Sequence, residues 1–274
     1  MSQDTRSPAE VLALFPDVWP TILMLDAGRY LLFGLAAAIL INVFRKPLAP
    51  RRIQNRIPSS TDRRREFAWS LLTSVIFSLN GFFLVFGLAQ LGLADILRDS
   101  PAWLILVHTL GLIVAHDAWF YWIHRAMHWR PLFRAAHITH HRSRTPSPWA
   151  AYAFAPLEAV LEALFLPIYL LILPADGIAI FIFLMHMLAR NVIGHCGYEF
   201  LPAGWIDWKL TRWMTTPTHH DMHHQHGRFN YGLYFTFWDR LMGTEHPEYR
   251  TRFLNRADAC RRAQDAAPAG IWSG

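Results

Sequence analysis

Charge is scarce in this 274-residue chain: 17% of residues are Asp, Glu, Lys or Arg, against 53% hydrophobic and 14% aromatic. That balance is too apolar for an ordinary soluble domain and makes a membrane protein the first class to test. Cysteine is scarcer still. Cys196 and Cys260 stand far apart, in neither a CxxC nor a paired spacing, which excludes a zinc knuckle, a ferredoxin-type cluster and a disulfide framework and fits ordinary thiols in a reduced compartment. HExxH and CxxCH are both missing, so neither a zincin-type hydrolase nor covalent haem attachment is indicated. The first residues, MSQDTRSPAE, lack the basic-then-apolar run of a secretory signal, and no segment is expected to be removed.

The net charge is +6 with histidine neutral, yet the arginines sit in short runs between apolar segments. Nucleic-acid binding needs a solvated basic face and is set aside. Arginine runs beside hydrophobic stretches instead mark cytoplasmic loops. An apolar run from about Thr21 to Phe44 is long enough to cross a bilayer. The loop Arg45–Arg65 carries eight basic residues against Asp62 alone, and is cytoplasmic by the positive-inside rule. A second span covers about Phe67 to Leu93, the connector ADILRDSP faces outward, and a third span covers about Ala102 to Trp122. Leu157–Leu173 and Ile178–Ile193 are two shorter apolar segments joined by a Pro-Ala-Asp-Gly turn, a full or a shallow helical hairpin, giving four or five crossings. The expected fold is all-α: an integral membrane helical bundle with a histidine-rich cytoplasmic cap and the N-terminus outside. Residues 1–100 hold the first spans, 101–250 the catalytic unit and 251–274 a polar tail.

Of fifteen histidines, thirteen fall between His116 and His226, next to the cytoplasmic ends of apolar segments. HDAWFYWIHRAMH places His116, His124 and His128 on one helical face; HITHH gives His137, His140 and His141; HHDMHHQH gives His220, His223 and His224 at the same i, i+3, i+4 spacing. Imidazole is the commonest protein metal ligand, and such pairs on neighbouring helices are how bundles build two-metal centres. A tetrahedral zinc site takes three or four ligands, whereas two octahedral ions take nine or ten, so the count favours two metals.

These residues resemble the fatty acid hydroxylase and sterol desaturase superfamily of membrane di-iron enzymes, whose pattern is HxxxH, HxxHH, a lone histidine, then HxxHH. Here those are His124 and His128; His137, His140 and His141; His195; and His220, His223 and His224. The likeness extends through PSPWAAYAFAPLEA, GHCGYE and NYGLYFTFWDRLMGTE and covers about Leu104 to Glu248. It implies two iron ions (zinc could occupy the motif in isolated protein), O2 as cosubstrate, and hydroxylation or desaturation of a lipid C–H bond. Whether the lipid is a sterol, a fatty acyl or sphingoid chain or a related molecule stays open. Asn191 stands where some branches carry another histidine, so the tenth ligand is Asn191, His219, His116 or water. Metal-bound imidazoles usually donate their other N–H to a carboxylate or carbonyl, and Asp117, Glu158, Asp221 and Asp239 are the available acids.

The chain carries no flavin or ferredoxin motif of its own, so electrons are expected from a separate ferredoxin- or cytochrome b5-like partner. Arg63-Arg64-Arg65 either docks such a donor or only marks topology. Trp119 to Trp122 reads as an interfacial aromatic belt, His108 and His246 as interface residues, and His186 and Arg190 as cavity-lining or snorkelling groups. Two other readings remain, a b-type haem electron carrier and a metal-binding membrane protein without oxygenase activity. The first uses two to four histidines and leaves the HxxHH repeats idle.

Overall fold

The computed structural model describes residues 7–90 and 100–259. The ADILRDSP connector up to Asp99, the end of the second span, Cys260 and the rest of the tail lie outside the described residues. Among those described the protein is helical, with no strand and two isolated bridges, Arg52 to Tyr198 and Met214 to Phe235.

Four helices are long and apolar enough to cross a membrane: α1 (Phe15–Val43), α2 (Ser60–Gln90), α3 (Ala102–Met127) and, later in the chain, α7 (Gly177–Gly194). Their outward faces carry Met24, Leu32, Val107, Val114 and Phe181, all exposed. Apolar surface on this scale is stable in lipid and not in water. The chain is an integral membrane protein.

Between α3 and α7 lie a short helix, α4 (Ile138–His141), and a broken one, α5 (Pro156–Ala163) followed by α6 (Phe165–Ile172). The break has a local cause. Pro167 has no N–H to give the carbonyl of Ala163 four residues back, and Asn80 Nδ2 of α2 donates to that carbonyl at 3.2 Å instead. In an apolar layer a freed carbonyl must find such a partner. The tip after α6 is fixed at the start of α3, where Asp176 Oδ2 accepts from Ser100 N at 3.0 Å and Asp176 N donates to His108 Nδ1 at 3.0 Å. The other end of α5 begins beside Phe154, whose ring lies 5.2 Å from that of His140. The α5–α6 pair therefore runs the full depth of the bundle, and the chain passes five times between its two ends, four times as a continuous helix.

Close packing draws the helices onto the Pro148–Tyr152 turn. Gly34 of α1 lets the Trp149 ring approach so closely that a Cβ there would stand 3.0 Å from it. Tyr30 Oη and Ser70 Oγ both donate to the Trp149 carbonyl, at 3.0 and 2.8 Å. On the histidine side the basic loop folds back over the cap. Arg51 donates to the carbonyls of Glu199, Leu201 and Ala257, and Ile53 N donates to the Gly197 carbonyl at 3.0 Å. This side also carries the helices α8 (Pro217–His226) and α9 (Tyr249–Ala257).

Candidate metal centre

α3 continues five residues beyond Trp122, so His124 lies on its last turn and His128 caps it. His137 ends a wide turn over Phe133–His137, and α4 carries His140 and His141. His195 caps α7; Thr216 caps α8, its side chain accepting from His219 N, and that helix carries His220, His223 and His224. Helix termini from across the sequence thus converge on one layer.

The imidazoles gather in two groups. His124, His128, His137, His141 and His223 form one, and His140, His195, His220 and His224 the other, with the ligand atoms of each within 4.8 Å of one another. Each HxxHH segment serves both. Its i, i+4 pair enters one group (His137 and His141; His220 and His224) and the histidine between them enters the other.

In the first group, Nε2 of His124 and His137 are 3.0 Å apart, and Nε2 of His223 lies 3.1 Å from that of His128 and 3.0 Å from that of His141. In the second, Nε2 of His195 faces those of His220, His224 and His140 at 3.0, 3.2 and 3.4 Å. Carbonyls or a carboxyl group take up Nδ1 of four of these rings. His124 Nδ1 donates to Tyr231 O at 2.9 Å, His223 Nδ1 to Phe229 O at 2.7 Å and His195 Nδ1 to Asn191 O at 2.7 Å. His137 Nδ1 pairs with Glu158 Oε1 at 2.7 Å. A carbonyl can only accept, so the bonds to Tyr231, Phe229 and Asn191 put the single proton of those three neutral rings on Nδ1 and leave Nε2 as a bare lone pair.

Burial favours those neutral rings. It pushes His140, His220, His223 and His224 well below the usual imidazole range, with neighbouring histidines adding to the effect. His141 falls to about 3 and His195 to about 4 for the same leading reason. Lone pairs pointed at one another about 3 Å apart repel, and a cation between them removes the conflict. Ligands about 2.1 Å from an octahedral ion stand about 3.0 Å from their neighbours, which is the spacing seen. Five imidazoles also exceed the four positions of tetrahedral zinc. Each of the two histidine groups could hold a metal ion.

The remaining candidates lie elsewhere. His116 is outside both groups and lines a cavity, its Nδ1 paired with Tyr234 Oη at 3.0 Å. His219 faces Asp239 at 3.4 Å and the Tyr249 ring. Asn191 spends Nδ2 on the Ala151 carbonyl at 2.6 Å while its own carbonyl holds His195. Of the four acids, Glu158 alone meets a grouped histidine. Asp117 accepts from Tyr234 N and Phe235 N, and Asp221 from Gln54 and Gln225. Asp239 acts at one remove, accepting from Tyr231 N and Gly232 N and so fixing the peptide whose carbonyl holds His124.

Sequence reasoning missed Asn230. Its backbone is left-handed, with φ 61°, and it stands between Phe229 and Tyr231, whose carbonyls hold His223 and His124. Asn230 Nδ2 donates to His219 O at 2.9 Å and Oδ1 accepts from His246 N at 2.7 Å. The only signal was Asn followed by Tyr-Gly after a histidine run, Asn being one of the few residues that tolerate this conformation.

Residues 109–244 match the family model described as fatty acid hydroxylase. The chain belongs to this family. Among the curated relatives of this fatty acid hydroxylase family member, a methylsterol monooxygenase of Aspergillus fumigatus is 27% identical over 77% of the chain and 72% of its own length. A lathosterol oxidase of Homo sapiens is 27% identical over 84% and 79%, and one of Mus musculus is 30% identical over 57% and 51%. No solved structure matches the chain. The matched region holds all nine grouped histidines and Asn230.

Below the two groups, within the helices, lies a largely apolar cavity of about 390 Å³. Phe120 and Phe154 form part of its wall and touch one group each, with rings 5.0 Å from His124 and 5.2 Å from His140. From there it extends between the helices to Leu88 and Ile180.

Proposed function

We propose that this protein is a membrane oxygenase that hydroxylates or desaturates an unactivated C–H bond of a lipid, using O2, two iron ions and electrons from outside the chain. The observation that carries the reading is the placement of two converging histidine groups at the end of an apolar cavity inside a membrane bundle. Relatives named for sterol oxidation support it.

The nine histidines would hold the metals, and the metals would supply O2 activation. The chain's own contribution is orientation. The Tyr231, Phe229 and Asn191 carbonyls and the Glu158 carboxylate fix four imidazoles with Nε2 inward. Phe120 and Phe154 keep the approach dry, so that a substrate alkyl group and not water meets the centre. Five imidazoles in one group and four in the other would hold the two ions.

We assign the catalytic unit to residues 101–250 and the histidine cap to the cytoplasmic side of the cytoplasmic membrane. The basic loop lies against that cap, and basic loops stay cytoplasmic. The same arginine-bearing face suits an acidic ferredoxin- or cytochrome b5-like donor. The test is incubation of the iron-loaded chain with membrane lipid, reductant and labelled O2, followed by mass spectrometry. Gain of one labelled oxygen, or loss of two hydrogens, is the expected result; no O2-dependent change in any lipid would overturn the reading.

A further inference from the structure

The cavity is not uniformly apolar. Glu162, one helical turn beyond Glu158 on α5, lines it and is nine-tenths buried, and its Oε1 has no hydrogen-bond partner among the described residues. Arg29 and His116 line the same space. Arg29 is paired with Asp26 but leaves Nη1 buried without a partner, and His116 is held by Tyr234 through Nδ1. An unpaired buried polar group costs about 1–3 kcal/mol. A chamber meant only for plain alkyl chains would gain by replacing Glu162 with leucine.

Resting on the oxygenase reading, we propose that Glu162 is a substrate-positioning residue, accepting a hydrogen bond from a hydroxyl group on an otherwise apolar lipid. Either protonation state of the carboxyl has an oxygen that can accept this bond. Helical rise sets the geometry. Glu162 lies about 6 Å along α5 from the residue that holds His137, and His116 about 12 Å along α3 from His124. The polar groups therefore stand about one to two helical turns from the histidine layer. A lipid anchored by its hydroxyl at Glu162 presents to the metals a carbon about 6–12 Å away, so the anchor sets which C–H bond is reached. Simple alkanes and the hydrocarbon middle of an acyl chain lack the group this site reads.

The test is binding, with turnover kept separate. The full-length, metal-loaded protein in detergent is titrated with cholestanol and cholestane, and with octadecanol and octadecane, following bound lipid by native mass spectrometry. Wild type should prefer the alcohol in at least one pair by about fivefold to tenfold, the value of one hydrogen bond. Glu162→Gln, which keeps an acceptor, should retain the preference, and Glu162→Leu should bind alcohol and alkane alike with unchanged metal content. Equal binding of alcohol and alkane by wild type in both pairs, which needs no variant to fold, would overturn the proposal, as would an undiminished preference in Glu162→Leu. Wild type with fewer than two metals per chain would strike the oxygenase reading instead and leave the lipid preference to be judged on its own.

Discussion

His137 Nδ1 and Glu158 Oε1 meet across 2.7 Å, both side chains buried, and through this contact α5 sets the direction of a histidine in the group of five. Glu158→Gln keeps the shape but exchanges for an amide the carboxyl that pairs with His137 Nδ1. Iron affinity should fall about 10-fold to 100-fold, read by competition with a calibrated chelator. Unchanged affinity would show that the carboxylate is not part of the centre.

Asn230 separates a strain effect from a contact effect. Asn230→Gly keeps the left-handed backbone available and loses two side-chain hydrogen bonds, whereas Asn230→Ala loses the same bonds and adds strain. The alanine variant should be the less stable of the two by about 1 kcal/mol. Both should bind less iron, because the carbonyls of residues 229 and 231 hold His223 and His124. Melting temperature and metal analysis on the same preparations test this; equal stability of the two variants would count against strain at Asn230.

The partition of histidines predicts a stoichiometry. His223→Ala takes a ligand from the group of five and His220→Ala one from the group of four. Each should drop iron from about two per chain toward one, and the double variant should lose nearly all. His246→Ala, whose Nδ1 accepts from Glu248 N outside both groups, should retain two. Plasma emission analysis of each variant is the measurement, and equal loss in His246→Ala would sink the assignment.

Acid should destabilise the metal-free protein. Burial holds His141 at about 3 and His195 at about 4 in the folded state, against about 6.5 when unfolded. As pH falls below about 6.5 the unfolded chain takes up protons that the folded chain refuses, so stability is lost progressively from there down to the folded values. A chelator-treated sample should therefore lose melting temperature between pH 7.5 and pH 5. A flat profile would show that the rings charge freely in the folded protein.

Much of this arrangement was legible in the sequence because it is periodic. The long apolar runs gave α1, α3 and α7 within six residues of their ends, and histidine spacing singled out eight of the nine grouped residues, with His195 coming from the family resemblance. The division of those nine into five and four was not legible. It depends on where helix termini meet, and a spacing that places three imidazoles on one side does not say that the middle one serves a different ion. Asp117 and Asp221 stood among the acids available to the imidazoles, yet they turn to backbone amides and glutamines. Carbonyls that orient imidazoles leave no compositional mark, which is why Phe229 and Tyr231 were invisible. The α5–α6 hairpin limb was ambiguous in length because Pro167 breaks it, and the Asn80 contact that repairs the break is tertiary.

The central claim is that this chain holds two iron ions on nine histidines, and Mössbauer spectroscopy of protein enriched in iron-57, with iron quantified on the same sample, tests it most directly. The account predicts about two irons per chain with the signature of a coupled pair. Haem absorbance, or iron at one or fewer per chain after anaerobic purification, would contradict it.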